Sequence, residues 1–348
     1  LYQLYGIQVL RAFAAFMVAV HHVQPDAAVL AQRSGASFTP SHLLPWMAGV
    51  DIFFVVSGFI MVHSSEKLFD TVDGPRLFLL RRLARIVPLY WATTTLFLLV
   101  ALALPATLNS GAPSFLQIAS SYLFWPTLST EGQVQPIYSL GWTLNYEMLF
   151  YALFGLALFL PRPVVVQAVT LALIMLVGAE RLAGPLPLPF GFWGQPIVLE
   201  FAAGMGLALL RQRGFRLPGE YRWLVAGLAI AILLIAAPLA GTLTSWTTFL
   251  LHGSAAALLV LAAASGSGQS APSAMVRGLA EVGDASYALY LIHPFAIRGL
   301  REVFLRVAPG WPLLFVLVAL SAAVIAALLV YHGFERPMTR RLRTWLRV

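Results

Sequence analysis

The stretch VLRAFAAFMVAVHH at 9–22 sets Arg11 and His22 in an otherwise apolar run. Their spacing of eleven residues is three helical turns plus about 20°, so both side chains share a face, about 16 Å apart along the axis. His21 points about 80° off that face. A cation and a titratable imidazole are costly in hydrocarbon, and such groups usually line a cavity or pathway. Taken alone, the pair reads equally as an arginine snorkelling to headgroups and a histidine bonded to a neighbouring helix.

Other apolar runs carry further chemistry. In GVDIFFVVSGF at 49–59, Asp51 enters from the outer side at a depth comparable to His22. It could orient His22 and stabilise its protonated form, or cap the helix start. RRLARIVPLYW at 81–91 places Arg81 and Arg85 at i, i+4 and Arg82 and Arg85 at i, i+3. Guanidinium forks bind phosphates bidentately, while juxtamembrane arginines also simply meet lipid headgroups. In SLGWTLNYEMLFY at 139–151, Trp142, Asn145 and Glu147 fall within a few turns. Burial of Glu147 suits proton transfer, and pairing with a structural arginine is the other use of a buried acid. Glu200 is a further candidate with less local support. DASYALYLIHPF at 284–295 brings Tyr287, Tyr290 and His293 together just before Pro294, which kinks the helix. Aromatic anchoring at the interface also explains the tyrosines. In HGFERP at 332–337, Glu335 and Arg336 read as surface anchors or a pair.

These residues need a membrane scaffold. The 348 residues are 59% hydrophobic and only 10% charged, with mean hydropathy +0.82, far below the roughly 25% charge of a soluble domain. The pattern predicts an all-α integral membrane protein of about ten transmembrane helices, near 7–27, 45–65, 86–106, 137–160, 163–180, 189–210, 222–240, 246–265, 284–304 and 311–332. No period-2 alternation supports a β-barrel. The arginine inside the first run argues against a signal peptide. Cysteine is absent, so thiol chemistry is unavailable.

Net charge is +8, and the basic residues lie between apolar runs, which favours orientation over nucleic-acid binding. With ten spans, Arg33, Arg181, Arg298, Arg301 and Arg306 fall opposite the termini, and every other Lys or Arg except Arg11 falls on their side. The positive-inside rule then predicts cytoplasmic termini. The outer loop 107–136 has no Lys or Arg. Its stretch SFLQIASSYLFW at 114–125 is too short to span and predicts an interfacial or re-entrant helix. The Gly/Ser-rich 265–273 predicts a cytoplasmic loop, with no repeat and no soluble domain.

Together these segments resemble the acyltransferase family 3 of bacterial membrane O-acyltransferases, most closely its exopolysaccharide O-acetyltransferase branch. The match is carried by Arg11 and His22, VDIFFVVSGF at 50–59, Arg82 and Arg85, the WTLNYEMLFY block at 142–151, SYALYLIH at 286–293 and FERP at 334–337. Thr143 stands where the family often has serine, which keeps the hydroxyl. The resemblance implies one transmembrane domain over 1–348 in the bacterial inner membrane. It implies an acetyl group taken from cytoplasmic acetyl-CoA, as donor substrate and without a metal, to a sugar hydroxyl of a glycan or lipid-linked oligosaccharide. Some relatives add a helix and a periplasmic esterase-like domain. This sequence ends soon after FERP, so acetylation is expected to finish within the membrane domain.

On that resemblance, Arg81, Arg82 and Arg85 hold the phosphates of coenzyme A, Arg11 contacts the phosphate or upper arm, and His22 meets the thioester. Asp51 or Glu147 orients the imidazole or moves protons, and Trp142, Asn145, Tyr290 and His293 face the acceptor. His22 acts as general base or as a transient acyl carrier. A transporter or flippase for a lipid-linked sugar is the competing class, although no inverted repeat is evident.

Overall fold

A computed structural model describes residues 4–103, 113–266 and 272–348. The remaining parts of the two expected loops, 107–112 and 267–271, lie outside the described residues. Among the described residues, fifteen α-helices follow in order. They are α1 (Tyr5–Ser34), α2 (Ala48–Ser64), α3 (Gly74–Ala103), α4 (Phe115–Tyr122), α5 (Trp142–Ala157), α6 (Arg162–Ala183), α7 (Phe190–Trp193) and α8 (Leu199–Gln212). Then come α9 (Gly219–Ala236), α10 (Ser245–Thr248), α11 (Ser254–Ala264), α12 (Ala274–Asp284), α13 (Ser286–Val307), α14 (Pro312–Val330) and α15 (Arg336–Leu346). The described residues form no strand, only an isolated bridge between Leu128 and Val134.

Among the described residues, six helical stretches are long and apolar enough to cross a membrane: Tyr5–Ser34, Gly74–Ala103, Arg162–Ala183, Gly219–Leu239, Ser245–Ala264 and Pro312–Leu346. The other four expected spans fall on α2, α5, the interrupted α7 and α8, and α13. The first three of these are short, with 17 residues in α2, 16 in α5 and 14 in α8. Charge at Arg298, Arg301, Glu302 and Arg306 lowers the apolarity of α13. The helix expected at 114–125 forms as α4, with the Ser114 hydroxyl accepting from the Gln117 N–H at 3.2 Å.

The chain divides into two compact units, residues 1–60 with 203–333, and residues 61–202 with 334–348. In the first unit α1 is the central element, packed against α11, α12, α13 and α14. Ala19, Val23, Ala27 and Leu30 of α1 meet Ile297 and Phe304 of α13 and Phe315, Ala319 and Leu320 of α14 in one buried core. The small residues let the helices approach closely, as membrane packing requires. Gly49 extends this to α2: a Cβ there would collide with the carbonyl oxygen of Ala14. Beyond that core, Arg301 Nη1 donates to Asp26 Oδ1 at 2.6 Å and ties α13 to α1. The α1 helix ends at Gly35, whose φ of 70° gives a left-handed cap that returns its N–H to Ala31.

In the second unit α3 packs against α5 and α15, and α5 against α6. The core is aromatic: Phe150 stacks on Phe201 with ring centroids 4.4 Å apart, and Phe78 lies 5.1 Å from Phe154. Tyr90 of α3 lies fully buried, and a Cβ at Gly141 would strike its ring.

Candidate functional site

The first unit gathers imidazoles. Arg11 and His22 both lie on the uninterrupted α1, which preserves their common face and their axial separation of about 16 Å. Arg11 is half-buried, and its Nη1 donates to Gln8 Oε1 at 2.8 Å. The Nδ1 of His22 lies 2.8 Å from the Val18 carbonyl oxygen, one turn back. A carbonyl can only accept, so Nδ1 carries the proton and the neutral ring leaves its lone pair on Nε2.

His293 on α13 repeats this arrangement. Its Nδ1 lies 2.9 Å from the Leu289 carbonyl oxygen, its Nε2 has no hydrogen-bond partner, and the residue is fully buried. The His22 and His293 rings stand 5.0 Å apart, tilted by 50°. Two rings whose Nδ1 is engaged with its own helix therefore lie side by side, each with its Nε2 lone pair left over. Tyr290 lies 6.4 Å from His293 and 6.3 Å from Phe53 of α2, which links the pair to the block around Asp51. His21 packs edge-on to His22 at 5.1 Å and is exposed.

The partner of Asp51 is one the sequence reading did not single out. Its Oδ2 lies 3.7 Å from Nδ1 of His252, and both side chains are buried. His252 sits in a π-helical turn, Phe249–Gly253, and its Nε2 has no partner. Such turns interrupt regular helices frequently at functional sites. The available signal was a lone histidine inside an apolar run, the same one that marked His22. His22 thus takes its orientation from Val18, and Asp51 sits against a different ring.

The second unit gathers cations. Arg82 is half-buried, donates Nη2 to the Ser64 hydroxyl at 2.9 Å and lies 5.5 Å over the Phe78 ring. Arg85, Arg343 and Glu147 all contribute to the field it feels. Glu147 is half-buried on α5. Nearby on that helix, Asn145 is buried with both side-chain polar atoms unpartnered, and its carbonyl accepts from Trp193 Nε1 at 3.2 Å. Trp142 packs edge-on to Tyr146 at 6.0 Å. Glu200, fully buried, belongs to this unit as well.

Helical architecture, apolar spans and buried polar clusters define a multi-pass membrane protein. The family model described as an acyltransferase domain matches residues 4–332, and the chain belongs to that family. It is 35% identical over 311 residues to the exopolysaccharide production protein ExoZ of Rhizobium meliloti (strain 1021), covering 88% of this chain and 94% of that protein. It is 31% identical over 150 residues to protein 2 in the picA locus of Rhizobium radiobacter, covering 38% of this chain and 78% of that one. No solved structure matches it. The chain is accordingly a multi-pass membrane member of the acyltransferase family.

Proposed function

We propose that the chain moves an acetyl group from acetyl-CoA to a sugar hydroxyl of an exopolysaccharide, with Nε2 of His22 as the reacting base. The carrying observation is the Val18 carbonyl on Nδ1, which leaves Nε2 as the lone pair aimed away from the helix's own backbone. Nε2 takes the hydroxyl proton as the sugar oxygen attacks the thioester carbonyl. The carbon–sulfur bond then breaks, and the imidazolium returns the proton to the departing thiolate, giving an ester and free CoA. His293, whose unpartnered Nε2 can accept a hydrogen bond, stabilises the transient proton beside it.

Arg81, Arg82 and Arg85 supply charge for the donor phosphates. Arg11 lies one pantetheine-like length, about 16 Å, along α1 from His22. Trp142, Asn145 and Tyr290 are acceptor-side groups, and Glu147 and the Asp51–His252 pair are further proton-handling groups. The bias of Lys and Arg supports cytoplasmic termini and a donor taken from that side of a bacterial inner membrane.

The test is free CoA release by purified protein with acetyl-CoA, with and without glycan. Release that requires glycan and disappears in His22→Ala is the expected result. Release by wild type without glycan, with acetyl bound to protein, would instead show an acyl-enzyme on His22. Full glycan acetylation by His22→Ala would refute the assignment.

A further inference from the structure

Helix α15 begins after the family match ends at residue 332. It places Arg336, Arg340 and Arg343 at i, i+4 and i+7, one stripe down one face. The helix packs on α3, and Arg343 comes close enough to Arg85 and Arg81 that each opposes its charge, while Arg82 feels Arg343 in turn. Arg343 is half-buried, and its Nε, like that of Arg82, is buried without a hydrogen-bond partner. Among the described residues, Arg81, Arg85 and Arg343 have neither a carboxylate partner nor a side-chain hydrogen bond. Four guanidiniums are thus brought toward one another by two helices, with the field of Glu147 opposing them at Arg82.

The geometry points to a polyphosphate site completed by Arg343, in which α15 supplies a fourth guanidinium to Arg81, Arg82 and Arg85. Convergent cations with unfilled donors cost repulsion and desolvation, which a bound anion offsets. Planar forks from two helices suit the several oxygens of linked phosphates better than a single carboxylate. The ligand assigned is the diphosphate portion of the acyl donor, and this assignment rests on the acetyl-CoA reading above. An anionic phospholipid headgroup offers the same chemistry.

The experiment uses the full chain purified in neutral detergent, comparing wild type with Arg343→Ala, Arg343→Lys and Arg341→Ala. The last removes one exposed charge from the same helix. Affinities for CoA and inorganic pyrophosphate are measured by titration, and retained anionic phospholipid by native mass spectrometry. Arg343→Ala is expected to weaken CoA and pyrophosphate about tenfold, Arg343→Lys to fall between, and Arg341→Ala to stay within about twofold. Loss of phospholipid at unchanged CoA affinity would keep the phosphate site and reassign its source to lipid. Unchanged binding of all three ligands in a folded Arg343→Ala protein would overturn the site. Pyrophosphate binding that depends on Arg343, in a protein that never transfers acetyl from acetyl-CoA, would sink the acetyl-transfer reading and leave the site standing.

Discussion

The two units solve the problem of polar groups in an apolar helical protein in opposite ways. In the first, His22 and His293 each spend Nδ1 on a carbonyl of their own helix, so what remains is an Nε2 lone pair. In the second, Arg81, Arg82, Arg85 and Arg343 lie on two packed helices and oppose one another's charge, so what remains is net positive charge. The first arrangement suits making and breaking bonds to hydrogen. The second suits holding an anion. Substitutions should therefore separate kinetically, with those in the imidazole unit acting on kcat and those in the arginine unit on KM.

The largest effect is expected for His22→Ala, which should lower kcat for glycan acetylation by about 10²- to 10⁴-fold while CoA affinity holds, measured by titration beside turnover. Next, His293→Ala should cost about ten- to a hundredfold in kcat with the donor KM nearly unchanged. A raised donor KM instead would place His293 with the binding groups and blur the contrast. In the other unit, Arg85→Ala should raise the KM for acetyl-CoA about tenfold and spare kcat, since one charge-assisted contact is lost. The smallest effect on activity is expected for Asp51→Ala, which strands buried His252 and should cost about 1–3 kcal/mol of stability. A lowered Tm with residual turnover is the readout.

Much of the first unit was legible because intramembrane histidine and arginine are rare and helical spacing is fixed. Arg11 and His22 could be put on one face from their numbers alone. That His293 faces His22 was not legible, since the two are separated by most of the chain and spacing carries no tertiary information. Asp51 drew attention as a carboxylate, but its partner His252 sits in a π-helical turn that apolar periodicity does not reveal. In the second unit the Arg81, Arg82 and Arg85 run was visible, whereas Arg343 read only as orientation charge. Its meaning comes from α15 folding back on α3. Ten apolar runs were readable, yet only six helical stretches among the described residues meet both length and apolarity. Pro and Gly interrupt the 189–210 run, and charges enter the end of α13.

The most direct test follows labelled acetyl from acetyl-CoA into polysaccharide, using membranes that contain either the wild-type protein or His22→Ala at equal abundance. Wild type should deposit ester-linked label in the polysaccharide with one CoA freed per acetyl, and His22→Ala should deposit none above background. Equal labelling by the two proteins would contradict a reacting role for His22, and no labelling by wild type would contradict acetyl-CoA as the donor.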